Sequence, residues 1–553
     1  MKIKLLIATI CISNILCSQT NPLYIPPLMY GPIYNLEMMN GSVQYFQGPA
    51  TSTMGFNGNV LGPTLVMNAG ELVQLNVLNS LGEETTVHWH GLHVAGEDDG
   101  GPWSAFGPNE TYNPSFTVED KASTYWYHPH LHYLTQKQVT LGLAGMIIVK
   151  DAEEAAINLP RTYGVDDIPL IMQSKPFNGS FISYIVGPGN GTGTGPINND
   201  AVFMMNGIID AEQSVPRQVV RFRLLNGAHQ RVFNVGLSDN ATFYQIGSDG
   251  GLLAAPVPLT RVRLAPGERA EILVNFSNYP EGSQLFLKSY ASELPSSIWG
   301  SSNGGGNAAN YNPNPLNGAN FNILKLNIIN PTLSPVVTIP STCANVIPLP
   351  ENSANVTRIK YFTSSPTGPV IGTSPAEAGP PFNFNFINDY VQLGDTEIWE
   401  LHNTMQQYHP FHIHDIQFYI LSRNGNLPPL NERGRKDVVS IAPNEVVRFI
   451  AKFDNFGEGV PYMYHCHILP HEDKGMMGQF IVKKNVYVNK NFNGAENGSL
   501  TNPYNTLFEA VNNSPGGSTI NFISNGIHNE APPTIVIDKQ AIIKLINGQI
   551  IIK

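Results

Sequence analysis

The chain has 553 residues, only 13% of them charged, and its formal net charge at pH 7 is −11. A net-negative chain lacks the electrostatics for binding nucleic acid, which excludes that class of function. The length exceeds one domain, and abundant Gly (51) and Pro (43) favour an all-β protein of several domains with many turns.

Residues 1–18 have the pattern of a secretory signal peptide. Two lysines precede an apolar stretch, Leu5 to Leu16, that is too short to span a membrane. We therefore expect an exported protein, periplasmic or extracellular, without a transmembrane segment. Cys17 raises the question of a lipid anchor, although the residues before it fit such a site poorly, and the type of processing stays open.

The first predicted β-sandwich covers residues 20–150. It contains an alternating strand from Leu72 to Asn79, and His88-Trp89-His90-Gly91 begins nine residues after that asparagine. A second pair, His128-Pro129-His130, follows. Residues i and i+2 of a strand point to the same face, so each H-x-H pair presents two imidazoles on one side.

The second predicted β-sandwich, residues 158–330, repeats the strand but not the histidines. The copy at 219–226 also ends in Asn, yet Val235 stands nine residues beyond it. We expect this domain to keep the sandwich and to bind no metal. Residues 300–320 form a Gly/Asn-rich loop, and the Pro-rich stretch at 331–350 fits a linker.

The third predicted β-sandwich covers residues 335–484. Its strand from Glu397 to Asn403 is followed nine residues later by His412, within the run His409-Pro410-Phe411-His412-Ile413-His414. Near its end lies His465-Cys466-His467. In a strand the two imidazoles of that tripeptide point one way and the thiolate the other.

Cys466 has the neighbours of a metal-bound thiolate. His471 and Met476 follow at plus five and plus ten, and with His409 they make the ligand set of a blue copper electron-transfer site. After the signal peptide is removed, only Cys343 and Cys466 remain. We interpret Cys343 as a buried apolar residue and Cys466 as a metal ligand.

Eight imidazoles in four H-x-H pairs suit a cluster of three copper ions. One such pair would be explained by histidines that cap strands or line a core. Four pairs, one of them wrapped around a cysteine, would not. The predicted cofactors are therefore four copper ions.

The composition changes from about residue 485. A short amphipathic helix is predicted at 502–511, with strands at 519–523, 534–537 and 541–552, and the pattern resembles the start of a right-handed parallel β-helix. Three interpretations of this tail stay open: a truncated module, a module that folds with a partner, or an appendage for surface or protein association.

Together these motifs resemble the multicopper oxidase family, built from three cupredoxin domains of Greek-key β-sandwich fold. The resemblance covers roughly residues 30–484 and is closest to bacterial copper-efflux oxidases, spore-coat laccases and bilirubin oxidases. Besides the histidine motifs it rests on Asp99-Gly100-Gly101-Pro102, Gly142-Leu143-Ala144-Gly145 and the run from His465 to Met476.

The resemblance implies a role for each ligand position. The type 1 copper would be held by His409, Cys466, His471 and Met476, and the type 2 copper by His88 and His412. The type 3 pair would be held by His90, His128, His130, His414, His465 and His467. Asp99 and Glu472 are the candidate proton carriers, the alternatives being a turn residue and a hydrogen-bond partner of a ligand.

The implied function is a laccase-like oxidase that takes single electrons from a small reductant, a phenol or aromatic amine, and reduces O₂ to water. Copper-efflux oxidases carry a Met-rich insert, whereas this chain has no methionine between Met205 and Met405. The alternatives are a cuprous oxidase for copper tolerance, a non-catalytic copper or electron-transfer protein, and a copper nitrite reductase, which needs no type 3 pair.

Overall fold

The computed structural model describes residues 21–187, 197–304, 314–366, 368–375, 382–454, 456, 459–514, 518–528, 542–546 and 550–552. The predicted signal peptide, the predicted strand at 534–537 and residues 305–313 of the Gly/Asn-rich loop lie outside the described residues. Within the described part, the prediction of a mostly β chain is confirmed, with six large sheets. Among the helices of that part, none has the length and apolar character needed to cross a membrane.

The first unit, residues 28–150, is a pair of sheets around one apolar core. Val73, Leu75 and Val77 point into this core while the residues between them do not, as expected for a strand with one solvent-facing side. The elements are β1 (Leu28–Tyr30), β2 (Ile33–Val43), β3 (Thr51–Phe56), β4 (Thr64–Asn68), β5 (Leu72–Ser80), β6 (His88–His90), a 3₁₀ helix (Pro102–Ser104), β7 (Thr111–Tyr112), β8 (Ser115–Thr117), β9 (Ser123–His128), α1 (Thr135–Leu141) and β10 (Gly145–Lys150), followed by α2 (Ala152–Ala155). The sheet orders are β1-β4-β10-β9-β6 and β3-β2-β5-β7, with β8 beside β5.

The second unit, residues 167–329, is a larger pair of sheets. Its elements are β11 (Asp167–Lys175), β12 (Phe177–Asn178), β13 (Phe181–Ile182), β14 (Val202–Met205), β15 (Glu212–Pro216), β16 (Val219–Asn226), β17 (Phe233–Leu237), β18 (Phe243–Ser248), β19 (Gly251–Leu259), β20 (Val262–Leu264), β21 (Arg269–Asn275), β22 (Gln284–Tyr290), a 3₁₀ helix (Ala291–Glu293) and β23 (Asn320–Ile329). The orders are β14-β11-β16-β21-β18-β19 and β15-β23-β22-β17-β20. β16 is buried on both faces, because Phe222 points into the core while Arg223 points towards Thr124 of the first unit.

The third unit, residues 356–483, repeats the two-sheet plan. Its elements are β24 (Val356–Ser365), β25 (Gly368–Gly372), β26 (Asp389–Gln392), β27 (Thr396–Asn403), β28 (His409–Ile413), β29 (Phe418–Arg423), a 3₁₀ helix (Leu430–Glu432), β30 (Val438–Ile441), β31 (Val446–Lys452), β32 (Tyr462–Cys466), α3 (Leu469–Glu472) and β33 (Met477–Lys483), preceded by a 3₁₀ helix (Glu351–Ser353). The orders are β25-β24-β27-β31-β29 and β26-β33-β32-β28-β30. Cys343, in the connection before this unit, is buried in a small apolar cluster with Leu252 and Leu273.

Two short segments cross the predicted domain boundaries. Leu23 packs in the core of the second unit, and Pro22 forms a parallel bridge with Glu212. In the other direction, Phe177 and Ile182 of the β12–β13 hairpin pack in the core of the first unit. The first two units are therefore interlocked and do not meet only at a flat interface.

An equivalent asparagine lies at the last or next-to-last position of β5, β16 and β27, which supports the predicted internal repeat. Each side-chain amide donates to two backbone carbonyls: Asn79 to Glu83 and Phe106, Asn226 to Arg231 and Leu264, and Asn403 to Gln407 and Ile441. Each side-chain oxygen accepts the N–H of the second residue along the chain. The same turn therefore follows the same strand three times, and in the first and third units it leads to histidines.

Replacing Asn226 with Ala is expected to destabilise the protein without removing copper. The side chain is fully buried, and its loss removes three hydrogen bonds to backbone groups, at about 1–3 kcal/mol for each group left unsatisfied. Chemical denaturation and a copper assay measure the two effects. The exposed Asn35→Ala is the control, and a loss of copper in Asn226→Ala would show that this turn also shapes the metal centre.

A buried carboxylate joins the first and third units beside the histidines. Asp473, just after α3, accepts the backbone N–H groups of Thr135 (3.3 Å) and Gln136 (2.9 Å), which begin α1. These N–H groups have no partner within their own helix. The third unit thus caps a helix of the first.

The tail after residue 484 pairs its strands in parallel. Its elements are β34 (Asn485–Val488), α4 (Leu507–Asn512), β35 (Thr519–Phe522), β36 (Gly526–His528), β37 (Ile542–Leu545) and β38 (Ile550–Ile552). The orders are β34-β35-β37 and β36-β38, all parallel. α4 begins five residues later than the predicted 502, because Thr506 caps it by accepting the Glu509 N–H. The β-helix remains a prediction.

Candidate metal centre

Four of the predicted ligands, His409, Cys466, His471 and Met476, belong to one group, called here the thiolate site. The Cys466 Sγ atom lies 3.5 Å from His409 Nδ1 and 3.8 Å from His471 Nδ1. Cys466, His409 and Met476 are fully buried, whereas His471 is only partly buried. His471 is therefore the member of this group that reaches towards the surface.

A glycine turn after α3 returns the chain to the thiolate site. Gly475 adopts a φ of +89°, a conformation that favours glycine. The Met476 N–H donates to the His471 carbonyl (2.9 Å) and the Gly475 N–H to the Glu472 carbonyl (2.8 Å), which is a Schellman cap. The Met476 carbonyl in turn accepts the Cys466 N–H at 3.0 Å. The candidate axial methionine and the cysteine therefore lie on adjacent backbone segments.

The other eight predicted ligands form a second group, called here the imidazole cluster. The His88 and His414 rings stack with centroids 3.8 Å apart, and the His90 and His412 rings stack at 3.7 Å. Each stack joins a ring of the first unit to a ring of the third, so neither unit holds the cluster alone. The members, all buried, are His88, His90, His128, His130, His412, His414, His465 and His467.

Equivalent strand pairs bring these rings together. β6 pairs with β9 so that His88 lies opposite His128, and β28 pairs with β32 so that His412 lies opposite His465. Cys466 follows His465 on β32 and points to the other face, where its sulfur meets the thiolate site. One strand therefore connects the two groups through its backbone.

The donor atoms fall into groups of the size that a metal ion needs. In each group one donor atom per residue lies within 4.8 Å of every other. The histidine groups are His90, His128 and His467; His130, His414 and His465; and His88, His412 and His414. The thiolate site contributes a further group, His409, Cys466 and His471.

The unpaired state of these donors fits copper. Within the described residues, His88 Nε2, His412 Nε2 and both ring nitrogens of His467 are buried without a hydrogen bond, which is costly unless a cation binds there. Burial lowers the pKa of His412 well below its ordinary value and that of His467 to about 3, so both rings are neutral and can bind a metal. Burial also raises the pKa of the Cys466 thiol, so a thiolate there requires a cation.

Asp99 lies directly behind two of the rings. Its Oδ2 atom is 2.7 Å from His414 Nδ1, and its Oδ1 atom is 3.4 Å from His88 Nδ1. Its backbone carbonyl accepts from His88 Nδ1 at 2.9 Å. Asp99 therefore contacts the cluster itself and is more than a residue of the glycine turn that follows it.

Glu472 lies behind His130 and His465, which form one donor group with His414. Its Oε2 atom is 3.2 Å from His465 Nδ1, and its Oε1 atom is 3.5 Å from His130 Nδ1. Burial raises the pKa of this carboxyl, but the neighbouring imidazoles outweigh it and the net shift is downward. Glu472 is therefore an ionised acceptor beside the cluster.

Sequence reasoning missed Asp437 and Arg269. Asp437 Oδ1 lies 3.1 Å from His90 Nε2, and the Asp437 carbonyl accepts from His412 Nδ1 at 2.8 Å. Both carboxylate oxygens of Asp437 also accept from Arg269, so this residue is held in place by a guanidinium, and its donor atom lies within 4.8 Å of those of His90 and His412. The available signal was weak: Asp437 directly precedes β30, the strand that pairs with the histidine strand β28.

Comparisons with known proteins agree on one family. A family profile described as "Multicopper oxidase" matches residues 37–154, and a second with the same description matches residues 351–486, ranges that contain all twelve predicted ligands. The chain is 34% identical over 455 residues to "Multicopper oxidase mco" of Staphylococcus haemolyticus, covering 81% of this chain and 88% of that protein. It is 30% identical over 469 residues to "Cell division protein FtsP" of Xenorhabdus nematophila, covering 84% and 93%.

A similar solved structure is that of the laccase-like multi-copper oxidase CueO from the lignin-degrading bacterium Ochrobactrum sp. The TM-score is 0.71 at 32% identity, covering 83% of this chain and all of that chain. That protein is described as having oxidase activity towards lignin model compounds and lignosulfonate. The second matched range of the family profiles ends at residue 486, two residues into the tail.

Proposed function

The chain belongs to the multicopper oxidase family, and on that premise we propose that it is a laccase-like enzyme that oxidises phenols or aromatic amines by single electrons. As a multicopper oxidase it is an oxidoreductase that uses O₂. Its donor groups are consistent with one type 1, one type 2 and two type 3 copper ions. We also propose that the three two-sheet units are cupredoxin domains.

In this proposal each donor group holds a particular copper. The thiolate site holds the type 1 ion, and His88 with His412 holds the type 2 ion. The type 3 ions are held by the two remaining groups: His90, His128 and His467; and His130, His414 and His465. When bound, the copper ions supply one-electron redox chemistry and the four electrons that reduce O₂ to two water molecules.

The residues of the thiolate site provide the electron path. His471 is the partly exposed member and so offers its ring to a reductant, whereas His409 is buried. Cys466 is covalently continuous with His465 and His467 of the imidazole cluster. Electrons therefore need only the backbone of one tripeptide to pass between the two groups.

A cavity lined in part by residues 404–407, the segment that precedes His409, supports the choice of an organic reductant. The cavity is open to solvent and has a volume of about 780 Å³. Its lining includes Thr363, the residue after Phe362, and the phenyl ring of Phe362 packs on the His409 ring. Among its described lining residues there is one soft ligand, Met405, and no carboxylate. Such a lining can hydrogen-bond a phenol but offers no built site for Cu(I). It is completed by Ser296, Ser297, Asn303, Ser364, Thr404, Gln406, Gln407 and Pro443.

Steady-state rates for a phenol and for Cu(I) test this choice. We expect the phenol to be the better substrate, and we expect Met405→Leu to leave that rate unchanged because it keeps the size and apolar character of the side chain. A preference for Cu(I) of about tenfold or more would contradict the proposal, since that ratio is a difference of about 1.4 kcal/mol in transition-state binding. Loss of Cu(I) oxidation in Met405→Leu would then locate the site in this cavity.

Family membership alone does not decide activity, because one relative is named for cell division. The completeness of the donor groups supports an oxidase over a non-catalytic copper protein, which would have no use for two type 3 groups. Anaerobic reduction followed by titration with O₂ distinguishes them. A carrier without O₂ chemistry would not consume four electrons per O₂.

We further propose that the protein is exported to the periplasm or the exterior. Residues 1–18 have the composition of a signal peptide. Sequencing the N-terminus of protein recovered from the host checks this, because retention of residues 1–18 in the mature chain would contradict export by this route. For the tail we propose association with a surface or another protein, tested by localising a chain that ends at residue 484.

A further inference from the structure

One guanidinium joins all three units next to the imidazole cluster. Arg269 is fully buried at the start of β21, in the unit that carries no predicted ligand. It donates to the carbonyl of Thr124 in the first unit (3.0 Å) and to those of Gly267 (2.9 Å) and Asp249 (2.8 Å) in the second. It donates twice more to Asp437 in the third, at 2.6 and 2.5 Å. All five N–H groups of the side chain are therefore used.

Asp437 connects Arg269 to two histidines of the imidazole cluster. Its carboxylate lies 3.1 Å from His90 Nε2, and its carbonyl accepts from His412 Nδ1 at 2.8 Å. The two rings stack face to face, 3.7 Å apart and 8° from parallel. One carboxylate residue, held by Arg269, thus orients one ring from each ligand-bearing unit.

The Arg269–Asp437 pair is closely packed against two glycines. A Cβ at Gly91 would lie 2.5 Å from Asp437 Oδ2 and 2.7 Å from Arg269 Nη2, and one at Gly267 would lie 2.8 Å from the His467 ring. Both glycines have positive φ, +89° and +84°, which side chains rarely adopt. The turn that carries Arg269 is therefore packed directly against the ligands.

We propose that Arg269 is a positioning residue of the copper centre, acting through Asp437 on His90 and His412. The proposal rests on the copper assignment made above, in which His90 binds a type 3 ion and His412 the type 2 ion. Partners behind a metal-bound histidine fix its ring orientation and tautomer. The planar fork of arginine fixes both oxygens of a carboxylate, which the single ammonium of lysine cannot do. The second unit, without a ligand of its own, therefore takes part in building the site.

The experiment uses Arg269→Lys and Asp437→Asn in the copper-loaded full chain. The control is Arg221→Lys, because Arg221 is equally buried on the neighbouring strand β16 and pairs with Glu271 and Glu154, away from the cluster. Copper content, the type 2 electron paramagnetic resonance signal, the near-ultraviolet type 3 absorption and the blue type 1 absorption are measured for each. The blue absorption reports folding of the third unit within the same sample.

We expect both test variants to lose type 2 and type 3 copper, with an affinity about 10- to 100-fold weaker, while the blue absorption is kept. Arg221→Lys should keep all signals. Unchanged type 2 and type 3 signals in Arg269→Lys would overturn the proposal. So would equal losses in Arg221→Lys, or loss of the blue absorption together with the others, since either indicates a general structural role. These spectra do not depend on turnover, so they remain decisive if the wild type proves inactive on phenols.

Discussion

Replacing Cys466 with Ser is expected to abolish the blue absorption and nearly all phenol oxidation while the imidazole cluster still binds copper. The Cys466 sulfur is the only thiolate donor of the thiolate site, within 4 Å of both candidate imidazoles there. Serine has nearly the same shape, so the buried strand β32 should be kept. We expect activity below about 1% of wild type, because a hydroxyl is not the soft donor that a type 1 site requires.

The other described cysteine provides the matched control for this variant. Cys343 is also buried and forms no disulfide with Cys466, but it packs in an apolar cluster that contains no residue of either donor group. Cys343→Ala should therefore keep the colour, the copper content and the rate. A Cys466→Ser protein that remained blue and active would remove the basis for a thiolate site, and with it the proposed electron path.

The opposite orientations of Cys466 and His465 at the end of β32 could be predicted because they depend only on the backbone. Side chains alternate in any strand, so the tripeptide separates sulfur from imidazole without knowledge of the fold. The repeated Asn before the histidine strands was visible for a similar reason: its hydrogen bonds are local, to residues a few positions along the chain and to the neighbouring strand. Features of this kind, which depend on nearby backbone, can be predicted from the sequence.

The role of Arg269 was not predictable in this way. It contacts residues 145 and 168 positions away, in two other units, and those contacts depend on how the units dock. No periodicity or spacing of residues in the sequence indicates how the three units dock against one another. The exchange of short segments between the first two units, with Leu23 in one core and Ile182 in the other, escaped prediction for the same reason.

Docking also makes the two proposed type 3 groups unequal. His130, His414 and His465 are backed by Asp99 from the first unit and Glu472 from the third. Among the ion pairs of the described residues, these two carboxylates pair only with histidines. In the other group, His90, His128 and His467, the carboxylate of Asp437 contacts His90. The charge of Asp437 is already balanced by that of Arg269. Both carboxylate oxygens of Asp437 already accept N–H groups of Arg269, so they are occupied as acceptors. Proton delivery is therefore expected on the side of Asp99 and Glu472.

Glu472→Gln should accordingly slow the reaction with O₂ and leave reduction by the phenol intact. Glutamine keeps the size and one acceptor oxygen towards His465 and His130, but it cannot take up and release a proton. Loss of a general acid or base costs about 10²- to 10⁴-fold. Stopped-flow reoxidation of the fully reduced protein measures the affected step, and anaerobic bleaching of the blue absorption measures the unaffected one.

Two further variants and a copper assay separate proton transfer from ligand orientation at this position. Asp99→Asn should slow the same step, because Asp99 backs the remaining ring of the group, His414. The exposed Glu281→Gln should change neither step. Loss of type 3 copper in Glu472→Gln would instead identify the carboxylate as a support for His130 and His465. A normal rate of reoxidation with all copper bound would move proton delivery elsewhere, since no carrier would then be needed on this side of the cluster.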